Sequence, residues 1–127
     1  MTDIRYTKDH EWARMEGDTA VCGISDYAQK SLGDIVYVEL PTIGKKVKQG
    51  EPVAVVESAK AASEVYAPID GEVTAVNDAI VADPAKVNSS PLGEGWFFKI
   101  KTSKPSQASG LMDESVYQTH IKELLAG

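Results

Sequence analysis

One lysine in this chain is placed as chemistry would place it. Lys60 lies in the stretch Val53-Ala54-Val55-Val56-Glu57-Ser58-Ala59-Lys60-Ala61-Ala62-Ser63-Glu64-Val65-Tyr66-Ala67-Pro68. Both flanks are rich in β-branched or aromatic residues and read as strands. Between them stand only small or polar residues and this long amine. The pattern puts Lys60 at a hairpin tip, clear of the body, where an enzyme could grip the turn and acylate the amine. The bland alternative is a solvated lysine in a turn, since the chain has eleven lysines.

Other residue types that do chemistry are poorly placed for it. The single cysteine, Cys22, sits in the apolar run Thr19-Ala20-Val21-Cys22-Gly23-Ile24 and reads as a buried small residue. His10 and His120 are far apart in sequence, with no Cys or His at ligand spacing, so no metal site is expected. No Ser-His-Asp, Cys-His or phosphate-loop pattern is present. Thirteen basic against nineteen acidic residues give a net charge of −6. That charge disfavours nucleic acid and anionic membranes as partners. No signal segment or apolar span is evident, so the expected setting is the bacterial cytoplasm.

The elements that must position Lys60 can be read from pattern. The 127 residues, 43% apolar, fit one domain over residues 1–127. Tyr6 to Trp12 reads as a short strand with a turn. Ala13 to Met15 leads into a hairpin at Glu16-Gly17-Asp18, and Thr19 to Ile24 returns. Ser25 caps a short helix over about Asp26 to Leu32, with Gly33 just past its end. Asp34 to Leu40 is the clearest strand, and Pro41 ends it. Residues 43–52 are turn-rich. After the Lys60 hairpin, Glu72 to Val76 and Gly95 to Lys101 read as strands. Between them, Asn77 to Pro91 reads as a long loop with at most one helical turn. Ser103 to Gly110 reads as a linker. A C-terminal helix begins near Asp113 or Glu114, with Tyr117, Ile121, Leu124 and Leu125 on one face to cover the β core. Short strands with Gly/Pro turns point to a β-sandwich or barrel with a helix near each end.

Gly44, Gly50 and Gly71 bracket the hairpin, at sixteen and ten residues before Lys60 and eleven after. With the lysine at an outer turn, this resembles the lipoyl and biotinyl carrier domains, a mainly β barrel-sandwich hybrid. Biotin attachment in that class favours methionines beside the lysine, whereas here the neighbours are Ala59 and Ala61. The resemblance then narrows to the glycine cleavage H-protein family. It is carried in order by Tyr6-Thr7-Lys8-Asp9-His10-Glu11-Trp12, Gly23-Ile24-Ser25-Asp26-Tyr27-Ala28-Gln29 and Leu32-Gly33-Asp34-Ile35-Val36-Tyr37-Val38-Glu39-Leu40-Pro41. Glu57-Ser58-Ala59-Lys60-Ala61, Tyr66-Ala67-Pro68, Gly71-Glu72-Val73, Val87-Asn88 and Gly95-Trp96 continue it. The blocks cover about residues 4 to 125.

The resemblance implies that Lys60 carries lipoic acid in amide linkage, on an arm reaching roughly 12–14 Å at ordinary bond lengths. It implies a shuttle with no catalysis of its own. A pyridoxal-phosphate glycine decarboxylase would load an aminomethyl group, and a tetrahydrofolate-dependent aminomethyltransferase would remove it. A flavin-dependent dihydrolipoamide dehydrogenase would reoxidise the dithiol, and a lipoate ligase or octanoyltransferase would attach the cofactor. Glu11 and Glu64 match positions that hold the loaded arm. Ser31 stands at a third, where some family members have histidine, and Leu92 stands where the family often has tyrosine. Glu57, Ala59 and Ala61 would be read by the lipoylating enzyme, although Glu57 equally fits an ordinary strand-end charge. Three other readings compete: a lipoyl domain of a 2-oxo acid dehydrogenase, an unmodified interaction module, and a module that relays lipoyl groups. The N-terminal blocks and C-terminal helix disfavour the first of these. A monomer is expected.

Overall fold

The computed structural model describes residues 4–126. The strands are β1 (Ile4–Tyr6), β2 (Glu11–Glu16), β3 (Thr19–Ile24), β4 (Ile35–Glu39), β5 (Lys46–Val47), β6 (Pro52–Ser58), β7 (Ala62–Tyr66), β8 (Gly71–Val76) and β9 (Phe98–Lys101). The helices are α1 (Asp26–Leu32), α2 (Asp78–Ala82), α3 (Ala85–Ser89), α4 (Ser106–Ser109) and α5 (Glu114–Ala126). Six strands form one antiparallel sheet in the order β1-β2-β3-β9-β8-β5, and three form a second in the order β4-β6-β7. The two sheets share one core. Ala20, Cys22, Val73, Phe98 and Ile100 come from the larger sheet, and Ile35, Val38, Val56 and Val65 from the smaller. This is the mainly β, two-sheet architecture expected from the strand pattern.

Local chemistry explains the elements around the site. Ser25 caps α1 by accepting from the Ala28 amide, and Gly33, at φ +87°, closes it by donating to the Gln29 carbonyl. Glycine enters that left-handed region without the Cβ clash other residues suffer. At Gly71 the demand is for space. A Cβ there would run into the Lys101 carbonyl and the Ile100 side chain, so β8 can lie against β9 only with glycine. A second cluster joins α5 to the larger sheet. The rings of Tyr6 and Tyr117 stack with centroids 4.2 Å apart. The Tyr117 hydroxyl lies 2.8 Å from His10 Nδ1 and 2.6 Å from Ser25 Oγ.

The structure departs from the sequence reading at several points. The segment 77–91 is not a long loop but contains α2 and α3. Asn77 caps α2 through the Ala79 amide, and Pro84, already in helical conformation, leads into α3. Each helix has five residues and buries one apolar side chain, Ile80 or Val87, too little to show a helical period. The expected linker contains α4, again led by a proline, Pro105. The last strand starts at Phe98, because the Asn77 side-chain amide takes the carbonyls of Glu94 and Trp96. β5, only two residues long, was hidden among the turn residues. On α5, Tyr117 is buried as expected, but Leu124 and Leu125 are exposed.

Candidate functional site

The Lys60 turn is held by its first residue. The Ser58 amide donates to the Ala61 carbonyl at 2.7 Å, which closes β6 onto β7. The Ser58 hydroxyl donates to the same carbonyl and accepts from the amides of Lys60 and Ala61. Four hydrogen bonds thus converge on one buried serine, and the turn is rigid for that reason. Ala59, Lys60 and Ala61 are all exposed. Among the described residues the Lys60 ammonium has no hydrogen-bond or ion-pair partner. Its stem lies along the end of α1: a Cβ at Gly33 would sit 3.7 Å from Lys60 Cε.

That end of α1 is fixed by Asn88 of α3. Its side-chain nitrogen donates to Gln29 Oε1 and to the Gly33 carbonyl, each at 2.9 Å. Its oxygen accepts from the Ile35 amide at 2.9 Å. One side chain therefore joins α1, α3 and the start of β4 beside the lysine. Ser31, exposed on the last turn of α1, belongs to this side of the site.

Glu11 lies elsewhere, at the start of β2, and is 3% exposed. Oε1 accepts from the Thr7 hydroxyl at 2.6 Å, and Oε2 accepts from the Tyr66 amide at 3.4 Å. Burial pushes this carboxyl up to about 7, against the pull of those two donors. Thr7 shapes the loop as well, since its hydroxyl accepts from the amides of Asp9 and Glu11. The next residue back, His10, has φ +72°, the only positive value among the described non-glycine residues. Glu11 lines a cavity of about 320 Å³ with Thr7, Asp9, Tyr66, Leu111 and Met112. Glu64, exposed on β7, raises the pKa of the Tyr66 phenol, with burial and Asp9 adding to the effect. Tyr66 therefore ties Glu64 to the Glu11 cavity.

The expected residues thus fall into two groups. Lys60, Ala59 and Ala61 make up the hairpin tip, and Ser31 lies on α1, the helix whose closing Gly33 borders the Lys60 stem. Glu11 and Glu64 meet through Tyr66 further down β7, and Ser31 does not line the Glu11 cavity. Glu57, half-buried on β6, faces Tyr37 across the β4–β6 ladder. Sequence reasoning missed Thr7, Tyr66 and Asn88 as site residues. All three lie inside the quoted motif blocks, and that was the only signal available. Leu92 packs against the cluster of Tyr6, Trp12 and Tyr117. Cys22 is fully buried and its thiol is pushed far up by burial, which makes it inert. No group of three metal-ligating side chains occurs among the described residues. None of their helices is long and apolar enough to cross a membrane.

Two antiparallel sheets around one core, with a lone lysine displayed on a hairpin of the smaller sheet, define a protein of the lipoyl/biotinyl-carrier-like class. Residues 4–124 match the family model described as glycine cleavage H-protein. The chain is 57% identical over 120 residues to the glycine cleavage system H protein of Bradyrhizobium diazoefficiens, covering 94% of this chain and 98% of that one. It is 56% identical over 124 residues to that of Xanthobacter autotrophicus, covering 98% and 99%. The crystal structure of a glycine cleavage system H protein from Mycobacterium marinum superposes with a TM-score of 0.87 at 35% identity, covering 94% of this chain and 97% of that one. This chain belongs to the glycine cleavage H-protein family.

Proposed function

We infer that the whole chain acts as one lipoyl-carrier domain, modified on Lys60, that shuttles the aminomethyl group of glycine in the bacterial cytoplasm. It does no chemistry of its own. Its partners are the glycine decarboxylase, the folate-dependent aminomethyltransferase, dihydrolipoamide dehydrogenase and the enzyme that attaches the cofactor. The observation that carries this reading is the exposed Lys60, without a partner among the described residues, on a turn rigidified by Ser58. When bound, the lipoyl group would supply a disulfide that opens as it accepts the aminomethyl group on one sulfur and frees the other as a thiol.

The residues present fit that group. Ala59 and Ala61 leave the amine approachable from both sides. An arm of roughly 14 Å spans about four strand residues at 3.4 Å each, so it can lie along β7 as far as Glu64. Beyond Glu64, Tyr66 marks the mouth of the Glu11 cavity. A cationic amine at the end of that arm meets the carboxylate of Glu64, two residues short of the Tyr66 that borders the Glu11 cavity. Partial exclusion of water strengthens the attraction and protects the carried group from hydrolysis.

The test is Lys60→Arg in a reconstituted system with the decarboxylase and lipoylating enzyme. The variant should fold normally and support no glycine decarboxylation. Full activity of the variant would sink the carrier reading.

A further inference from the structure

A β-bulge gives the Lys60 hairpin a neighbour with no packing role. In the β4–β6 ladder Ile35 pairs with Ser58 and Tyr37 with Glu57, so the register shifts by one residue at Val36. Along a regular strand successive side chains alternate between faces. The bulge breaks that alternation and turns two consecutive large apolar side chains outward. Val36 is 58% and Tyr37 45% exposed, while Ile35 and Val38 on either side are buried. Both lie on an edge strand of the three-stranded sheet. Two carboxylates frame them. Tyr37 donates from its hydroxyl to Glu39 Oε2 at 3.3 Å, and Glu57 faces it across the ladder.

We propose that the Val36–Tyr37 bulge, framed by Glu39 and Glu57, is the docking surface for the enzyme that acylates Lys60. The proposal rests on the carrier reading above. Distance selects this occupant. Glu57 precedes Lys60 by three residues, so the bulge lies within about 10–15 Å of the lysine Cα. An acylating enzyme must bring Lys60 Nζ itself to its acyl donor and so must cover the ground beside the turn. Enzymes that act at the end of a roughly 14 Å arm need not touch that ground. The flanking carboxylates call for a basic rim on the partner around an apolar socket for the Tyr37 ring. In the step served, the Lys60 ammonium loses one proton to become nucleophilic and a second as the amide forms, both to solvent base. The N–C bond forms as the acyl–oxygen bond of an acyl adenylate breaks, and AMP leaves with the electron pair.

The test uses the full apo chain, a purified lipoate ligase, ATP and lipoate, with modification followed by mass. Tyr37→Ser and Val36→Ser are compared with Val116→Ser, an exposed apolar residue on α5. Each bulge variant should raise the KM for the chain by about tenfold, as loss of an apolar anchor does, with kcat unchanged. Val116→Ser and the thermal midpoints should match wild type. Acylation of both bulge variants within twofold of wild type would overturn the docking surface and leave the carrier reading intact. So would a dimer in sedimentation that Tyr37→Ser dissolves, since the bulge would then face a second copy. Failure of the wild-type chain to be acylated on Lys60 would overturn both the docking surface and the carrier reading.

Discussion

Glu11 is an acid kept where its charge is costly. Burial raises its carboxyl from the usual 4.5 to about 7, while the unfolded chain ionises it near the lower value. Between the two, the folded form holds a proton that the unfolded form has released. The stability carried by this group is therefore full below about pH 4.5 and is lost as the pH rises to about 7. Glu11→Gln is neutral at every pH and lacks that slope. Urea unfolding from about pH 4 to about pH 8 should show wild type losing stability relative to the variant across that window. Parallel pH profiles would contradict the assignment. Lys60 was legible because it stands out from its own neighbours in sequence. Glu11 was legible only through the motif resemblance, because nothing local marks a carboxylate as buried. Its distant partner could not be read from spacing. The Tyr66 amide that meets it lies 55 residues away, and sequence spacing does not report such a contact.

At the scale of elements, the site depends on how α1, α3 and β4 meet beside the lysine. Asn88 makes three hydrogen bonds there, to Gln29, Gly33 and Ile35. Asn88→Ala should lower the unfolding free energy by about 2–4 kcal/mol, because it leaves polar groups of its partners unpaired. Amide exchange at Ile35, whose acceptor is lost, should quicken more than at the Tyr117 end of the fold. Unchanged exchange at Ile35 would count against this role. Sequence pattern marked α1 well, since Ser25 and Gly33 are strong punctuation at the right spacing. The same logic failed for α2 and α3, which are shorter than the window in which apolar periodicity shows. The helix that supplies Asn88 was thus read as loop. The β4 bulge escaped notice too. The run Ile35-Val36-Tyr37-Val38 looks like an ordinary buried strand, and only the register against β6 shows two of its side chains turned outward.

For the whole molecule, the two sheets supply a rigid base and leave one hairpin to display an amine. The Ser58 turn is tied into the ladder of the smaller sheet. The Glu11 cavity is tied to the larger sheet and, through Leu111 and Met112, to the chain leading into α5. Tyr117 then holds α5 against His10 and Ser25, at opposite ends of the segment that frames Glu11. An arm attached at the tip, as proposed, would have this rigid body beneath it to rest against. The central claim is that Lys60 is the residue modified. The most direct test is the intact mass, with peptide mapping, of the chain co-expressed with a lipoylating enzyme. One added lipoyl or octanoyl group, located on Lys60 alone, is the result this account predicts. An unmodified Lys60, or the group on any of the other lysines, would contradict it.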